Sequence, residues 1–122
     1  MKKFTKEHEW VQLEGSEATI GITGYAAKEL GDITFVELPE VDDDATIGEV
    51  LTVVESVKAA TDVFSPVAGT ISGANEELED NPQLVNESPE DRGWICKVDG
   101  VDEAQLGDLM SEEDYKAYVA SL

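Results

Sequence analysis

The chain has 122 residues, of which 28 are Asp or Glu and 8 are Lys or Arg, so its formal net charge is -20. This excess of carboxylates excludes nucleic acid as a partner, because phosphate binding requires clustered Lys and Arg side chains. With 41% hydrophobic residues the chain can bury a core of ordinary size, and we expect one domain over residues 1–122. The acidic surface suits attraction to basic faces of other proteins, or solubility alone.

The cysteine content and the start of the chain bear on its location. One cysteine cannot form an internal disulfide, so the fold does not depend on an oxidising compartment. Residues 1–6 lead into polar and acidic side chains rather than into the apolar segment of a signal peptide or a membrane span. We expect a monomeric cytoplasmic protein with no membrane segment, or a mitochondrial one if a transit peptide has been removed.

The first quarter of the chain is predicted to form a hairpin and a short helix. Apolar residues alternate with polar ones within residues 8–22, which predicts two short strands with a turn at Glu14-Gly15-Ser16. A short helix is predicted over 23–31, because Thr23 can cap its start and Gly31 can end it.

The middle of the chain is rich in strand-forming residues. Residues 33–38 form one predicted strand, and Asp42-Asp43-Asp44 is predicted to be a solvated connection. The strongest strand signal covers residues 48–57, and a second strand is predicted over 61–68. Lys58-Ala59-Ala60 then lies at the tip of a hairpin that extends over about residues 48–69.

The last third of the chain combines a polar segment, one strand and a helix. Residues 75–91 are polar, and two Xaa-Pro turns favour irregular structure there. Residues 93–98 form a predicted strand with Trp94, Cys96 and Val98 facing one way. A helix over about residues 111–121 is predicted from a capping pattern and an apolar stripe; the stripe consists of Tyr115, Tyr118, Val119 and Leu122. Short strands with frequent turns predict a mainly β fold, either a sandwich or a flattened barrel.

The sequence offers little for catalysis or metal binding. His8 and Cys96 are the only histidine and cysteine, and no nucleophile elbow or phosphate-binding glycine loop is present. Cys96 shares a strand face with apolar residues, which favours a buried packing role, and His8 is interpreted as a surface or packing residue. Asp42-Asp43-Asp44 lacks the alternating spacing of a calcium loop. We expect no catalytic site and no metal site.

Lys58 is the most distinctive candidate. It is the only basic residue between Lys28 and Arg92, and its neighbours at the hairpin tip are Val57 and Ala59. An isolated lysine beside small uncharged side chains is accessible to a modifying enzyme, and lysine is a common target of modification. From position alone, a solubilising turn lysine is an equally good interpretation.

The residues around Lys58 read Glu55-Ser56-Val57-Lys58-Ala59, after Gly48-Glu49-Val50 and before Ser65-Pro66-Val67-Ala68-Gly69. This arrangement resembles the lipoylation site of the glycine cleavage system H-protein family. The likeness covers nearly the whole chain. Further matching segments include His8-Glu9-Trp10-Val11, Gly21-Ile22-Thr23, Gly31-Asp32, Val36-Glu37-Leu38-Pro39, Leu84-Val85-Asn86, Ser88-Pro89 and Gly93-Trp94.

The resemblance implies a lipoyl-carrier domain of the barrel-sandwich hybrid type, with Lys58 in amide linkage to lipoate. It implies that Glu55, Ser56, Val57 and Ala59 are read by the modifying enzyme, a lipoate ligase or an octanoyltransferase. It also implies an aminomethyl shuttle between glycine decarboxylase, the tetrahydrofolate-dependent aminomethyltransferase and dihydrolipoyl dehydrogenase. The carrier itself would not be an enzyme, because the cofactor supplies the reactivity.

Glu9 is a candidate contact for the loaded arm, because the resemblance associates the acidic residue of His-Glu-Trp with a sheltering groove. The alternative is an ordinary surface carboxylate on a strand. A second groove contact of the family, often a histidine near Glu29, is not matched here.

Other carrier functions fit the sequence less well. A biotin carrier usually has Met on both sides of its lysine, and a lipoyl domain of a dehydrogenase complex has Asp before it; this chain has Val57 there. Two alternatives stay open: an H-like protein that relays lipoyl or octanoyl groups to other complexes, and an unmodified acidic interaction module.

Overall fold

The structure, a computed structural model, describes residues 1–122. Nine strands are present: β1 (Lys2–Phe4), β2 (Glu9–Glu14), β3 (Glu17–Ile22), β4 (Ile33–Glu37), β5 (Asp44–Ala45), β6 (Val50–Ser56), β7 (Ala60–Phe64), β8 (Gly69–Ala74) and β9 (Cys96–Asp99). Four α-helices accompany them: α1 (Gly24–Leu30), α2 (Glu77–Asp80), α3 (Leu84–Glu87) and α4 (Glu112–Ala120). A 3-10 turn covers Glu103–Leu106.

The strands form two antiparallel sheets. The larger sheet has the order β1-β2-β3-β9-β8-β5, and the smaller has the order β4-β6-β7. A cluster of 21 buried residues draws members from both sheets, among them Ile20 and Val98 from the larger sheet and Val36 and Val54 from the smaller one. The prediction of a mainly β, flattened sandwich with a short helix and a C-terminal helix is confirmed.

A second, smaller cluster joins the two ends of the chain. It consists of Phe4, Trp10 and Tyr115, and the Phe4 and Tyr115 rings stack with their centroids 4.8 Å apart. Phe4 and Met110 also exchange two backbone hydrogen bonds of 2.9 Å. β1 was not predicted, because its short run of mostly lysine has no period-2 pattern of its own. α4 begins after Ser111 as predicted, but Leu122 is 62% exposed and does not extend its apolar stripe.

Residues 75–91 were predicted to be irregular, but the segment contains the two short helices α2 and α3. Leu78, Leu84 and Val85 are its apolar anchors, and each is at least 99% buried in the main core. These few anchors suffice because each helix is only one turn long. Composition alone therefore underestimated the order of this segment.

The second hairpin strand ends earlier than predicted, at Phe64, and a separate strand, β8, begins at Gly69. Residues 65–68 cross from the smaller sheet to the larger one. A Cβ at Gly69 would collide with the Asp99 carbonyl oxygen, so only glycine allows β8 and β9 to approach this closely. Asp44 was predicted to be in a connection, but it belongs to β5 and pairs with Thr70 of β8. Its side chain stays exposed.

The last strand is shorter than predicted. β9 begins at Cys96, so Trp94 lies outside it and packs against the smaller cluster rather than beside Cys96 in the main core. The Thr23 side chain caps α1 by accepting from Ala26 N, and Gly31 ends it with a φ of 79°. No helix is both long and apolar enough to cross a membrane.

Candidate functional site

Lys58 lies at the tip of the hairpin between β6 and β7. Glu55 pairs with Ala60, and Ser56 N donates a 2.9 Å hydrogen bond to the Ala59 carbonyl, so the loop beyond this pair is only Val57 and Lys58. Both loop residues are exposed, and Val57 is 67% exposed. The side-chain amine is therefore presented on a short, closed turn.

Ser56 fixes the conformation of this turn. Its hydroxyl oxygen accepts from Lys58 N at 3.2 Å and from Ala59 N at 3.3 Å, and the hydroxyl donates to the Ala59 carbonyl at 3.2 Å. Backbone groups that would otherwise face water are thus satisfied by one side chain. Ser56, predicted to be read by a modifying enzyme, has this structural role in any case.

The turn is also held from the side by the loop that follows α1. Val57 N donates to the Asp32 carbonyl at 3.1 Å. The Asn86 amide bridges the same loop, since it donates to the Gly31 carbonyl at 2.8 Å and accepts from Ile33 N at 2.9 Å. Sequence reasoning missed Asp32 and Asn86 as supports, because nothing in a polar segment shows which amide will reach back across the fold.

The Lys58 amine has no carboxylate partner. Its Nζ donates to the Glu29 carbonyl oxygen at 3.2 Å, and none of the four ion pairs of the protein includes it. The contact is exposed, so the amine stays accessible. The carbonyl belongs to the last turn of α1, where unpaired backbone oxygens favour a cation.

A groove of about 300 Å³ begins beside this contact and continues between α1, the start of β2 and the edge of β7. Apolar and acidic side chains share its walls. Its lining residues are Glu7, His8, Glu9, Ile22, Tyr25, Ala26, Glu29, Leu30, Thr61, Asp62 and Val63.

Glu9 lines this groove but is not a surface carboxylate, so that alternative was wrong. Only 3% of the residue is exposed. One carboxylate oxygen accepts from the Thr5 hydroxyl at 2.9 Å, and the other accepts from Phe64 N at 3.2 Å. Burial raises the pKa of Glu9, although both hydrogen bonds act in the opposite direction.

His8 also lines the groove, although it was predicted only as a surface or packing residue. It adopts a left-handed conformation with φ of 69°, and its Nδ1 shares a 2.9 Å hydrogen bond with the Tyr115 hydroxyl. The Tyr115 hydroxyl also meets the Thr23 hydroxyl at 2.7 Å, and the Tyr25 ring lies 4.6 Å from the imidazole. Burial lowers the pKa of His8, despite the opposing charges of Glu7 and Glu29.

Cys96 is completely buried, and burial raises the pKa of its thiol to about 12. A thiol with this pKa is not ionised near neutrality and cannot act as a nucleophile there. This agrees with the packing role predicted from its position.

Known proteins resemble this chain over almost its entire length. The family model for the Glycine cleavage H-protein matches residues 2–122. The chain belongs to the glycine cleavage H-protein family. The glycine cleavage system H protein of Staphylococcus haemolyticus is 54% identical over 117 residues, which cover 96% of this chain and 93% of that protein. The corresponding protein of Halothermothrix orenii is 52% identical over 116 residues, covering 95% and 91%.

A solved H-protein structure has the same fold. The crystal structure of a glycine cleavage system H protein from Mycobacterium marinum matches with a TM-score of 0.87 at 30% identity, covering 98% of this chain and 96% of that one. The family predicted from the residues around Lys58 is therefore confirmed.

Proposed function

We propose that Lys58 carries lipoate in amide linkage, and that the protein shuttles the aminomethyl group of glycine among the glycine cleavage enzymes. These enzymes are glycine decarboxylase, aminomethyltransferase and dihydrolipoyl dehydrogenase. The observation that carries the proposal is the Lys58 amine, exposed and without a carboxylate partner at a closed hairpin tip, in a chain of a lipoate-carrying family. The attached group would supply a reactive dithiol on a long tether.

The hairpin positions the amine for attachment and for later movement. Because the tip is closed by hydrogen bonds of Ser56 and Asp32, the amine projects from a fixed base, and its side chain is exposed with the single Glu29 carbonyl contact. Amide formation removes one positive charge, so the formal net charge changes from -20 to -21. The amide keeps one N–H, which can still donate to the Glu29 carbonyl.

The groove suits the aminomethyl cargo. A protonated amine is attracted by the exposed carboxylates of Glu7 and Glu29, neither of which takes part in an ion pair. Glu9 adds a buried acceptor between them and the edge of β7. Such a pocket shelters the cargo from water while the carrier moves between enzymes, and the tether keeps its effective concentration high at each of them.

In this proposal the chain is a carrier and not an enzyme. A lipoate ligase or an octanoyltransferase attaches the group and reads Glu55, Val57 and Ala59, which surround Lys58 and are all exposed. We also infer that the chain acts as one domain over residues 1–122, as a monomer in the cytoplasm.

Substitution of Lys58 tests the proposal directly. We expect Lys58→Arg to abolish the mass gain on loading and all glycine cleavage in a reconstituted system, because a guanidinium cannot accept the acyl group. The free energy of unfolding should change by no more than about 0.5 kcal/mol, since the side chain is exposed. Lys28→Arg, on the exposed face of α1, is the matched control and should be loaded normally.

Two results would refute the proposal. One is glycine cleavage by the Lys58→Arg protein, and the other is a wild-type chain that stays unmodified in cells supplied with lipoate. A chain that is loaded, but whose arm transfers acyl groups to other complexes and supports no glycine cleavage, would indicate the H-like relay function.

A further inference from the structure

The outer face of the smaller sheet is uncovered and adjoins Lys58. Directly paired residues point to the same side of a sheet, so the register gives two rows on this face. One row is Phe35, Glu55 and Ala60, and the next is Glu37, Val53 and Asp62. We call these six residues the outer face. The alternate residues, such as Val36 and Val54, point inward and are buried in the core.

The outer face combines an apolar centre with unpaired acidic groups. Phe35 is 46% exposed, and Val53 lies diagonally across from it, within reach of an aromatic ring. No carboxylate of the outer face takes part in any of the four ion pairs, which all lie elsewhere on the protein. Phe35, Val53 and Ala60 therefore form an apolar patch with a charged rim, and such a patch is typical of a surface that binds another protein.

We infer that the outer face is where the enzyme that acylates Lys58 docks, through an apolar patch bordered by Lys and Arg. The inference rests on the proposed function and extends recognition from the turn to three strands. In the reaction, Nζ attacks the carbonyl carbon of an activated acyl group, an acyl adenylate or an acyl thioester. The new N–C bond replaces the C–O or C–S bond, and the nucleotide or thiol leaves. The Lys58 ammonium loses two of its three protons to solvent, and the amide keeps one N–H.

Geometry favours the acylating enzyme over the later partners. To form the amide, the enzyme must bring its active centre to Nζ itself, so it has to cover surface next to the turn. The outer face begins there, since Glu55 and Ala60 are the last residues of β6 and β7 that face each other in the sheet before the turn. Partners that act on the loaded arm meet its far end and need not touch these strands.

The carboxylates of the outer face favour the acylating enzyme over a second copy of the chain as the molecule that docks there. Two outer faces in contact would bring six unpaired carboxylates together between molecules of net charge -20 each. Like charges in an interface oppose association, whereas a basic rim on the partner would be steered toward this face.

Substitutions on the outer face test the inference. We expect Phe35→Ala and Glu37→Lys each to raise the KM for the unmodified chain about tenfold in loading by a purified lipoate ligase with ATP and lipoate, with little change in kcat. The matched controls are Ile47→Ala, where the side chain is 54% exposed, and Glu113→Lys on α4; both should be loaded like the wild type. Intact mass gives the rates, and circular dichroism verifies the fold.

A second measurement separates docking from a general defect. After complete loading with excess enzyme, the lipoyl arm of both variants should be reduced by dihydrolipoyl dehydrogenase with NADH as the reductant at the wild-type rate. An unchanged loading KM, an equal loss in the controls, or an equal loss in reduction would overturn the inference. So would a dimer in sedimentation that Phe35→Ala dissociates. A wild-type chain that gains no mass would refute the proposed function itself, and the inference with it.

Discussion

His8 and Glu9 are neighbours in the chain and both line the groove, but burial displaces their pKa values in opposite directions. The pKa of His8 lies below its ordinary 6.5, so the unfolded chain takes up a proton more readily than the folded one. Stability from His8 is complete above pH 6.5 and is lost as the pH falls below it. The pKa of Glu9 lies above its ordinary 4.5, so ionisation destabilises the fold as the pH rises from 4.5 through the folded value.

We therefore expect the two groups to oppose each other in the wild-type protein. Asn tolerates the left-handed conformation of position 8, so His8→Asn should remove the loss of stability below pH 6.5. Glu9→Gln should remove the loss above pH 4.5, because an amide can accept from Phe64 N and donate to Thr5 without ionising. Urea unfolding between about pH 5 and pH 8 measures both effects. Parallel pH profiles for the wild type and both variants would contradict the assignment.

The burial of Cys96 predicts which thiols of the protein can react. With a pKa of about 12 and no exposure, Cys96 should resist iodoacetamide in the folded, unmodified chain and react only after unfolding. In the loaded and reduced protein, only the thiols of the arm should be labelled. Peptide mass spectrometry identifies the labelled sites, and a Cys96→Ser variant is the control. Labelling of Cys96 without denaturant would show that this part of the core opens.

The hairpin depends on the core beneath it rather than on the turn alone. Val54 is fully buried and lies between Val36 on β4 and Thr61 on β7. We expect Val54→Ala to cost on the order of 1 to 4 kcal/mol of unfolding free energy in urea, with loading reduced only in proportion to the unfolded fraction. Val41→Ala, where the side chain is exposed, should cost less than about 0.5 kcal/mol. A loading defect in fully folded Val54→Ala protein would show that the core also shapes the turn.

Elements with a clear local signal could be predicted from the sequence. The first hairpin, the capped helix α1 and the strand before Lys58 each have their own periodicity or cap, and all three were located within a few residues. β1 and β5 could not be predicted, because they are short and exist only through pairing with distant strands. The two short helices α2 and α3 were missed for a similar reason: their few apolar residues find partners only in the folded core.

The same division applies to the candidate site. Lys58 could be named from its isolation in the local sequence, whereas Glu9 was named only from the family resemblance of the His-Glu-Trp segment. The contact between His8 and Tyr115 joins residues 107 positions apart, and no periodicity links them. The groove could therefore be expected from the family resemblance, but most of its wall could not be listed.

The whole molecule carries a charge that should govern how fast it meets its partners. Attraction between an acidic carrier and a basic enzyme face is screened over roughly 10 Å at 0.1 M salt. We expect association rates with the acylating enzyme and with dihydrolipoyl dehydrogenase to fall steeply as salt rises, with smaller changes in dissociation. Stopped-flow measurements on the wild-type protein test this. Rates independent of salt would mean that the charge of -20 serves solubility alone.

The contact between His8 and Tyr115 also has a consequence for synthesis. The three strands of the sheet that presents Lys58 all lie within residues 33–64, whereas the groove needs a tyrosine from α4. Domains are made from their N-terminal end, so a nascent chain contains every residue of that sheet long before Tyr115 leaves the ribosome. Premature termination just before Tyr115 would accordingly produce a chain that keeps the acceptor lysine but lacks the tyrosine that braces His8.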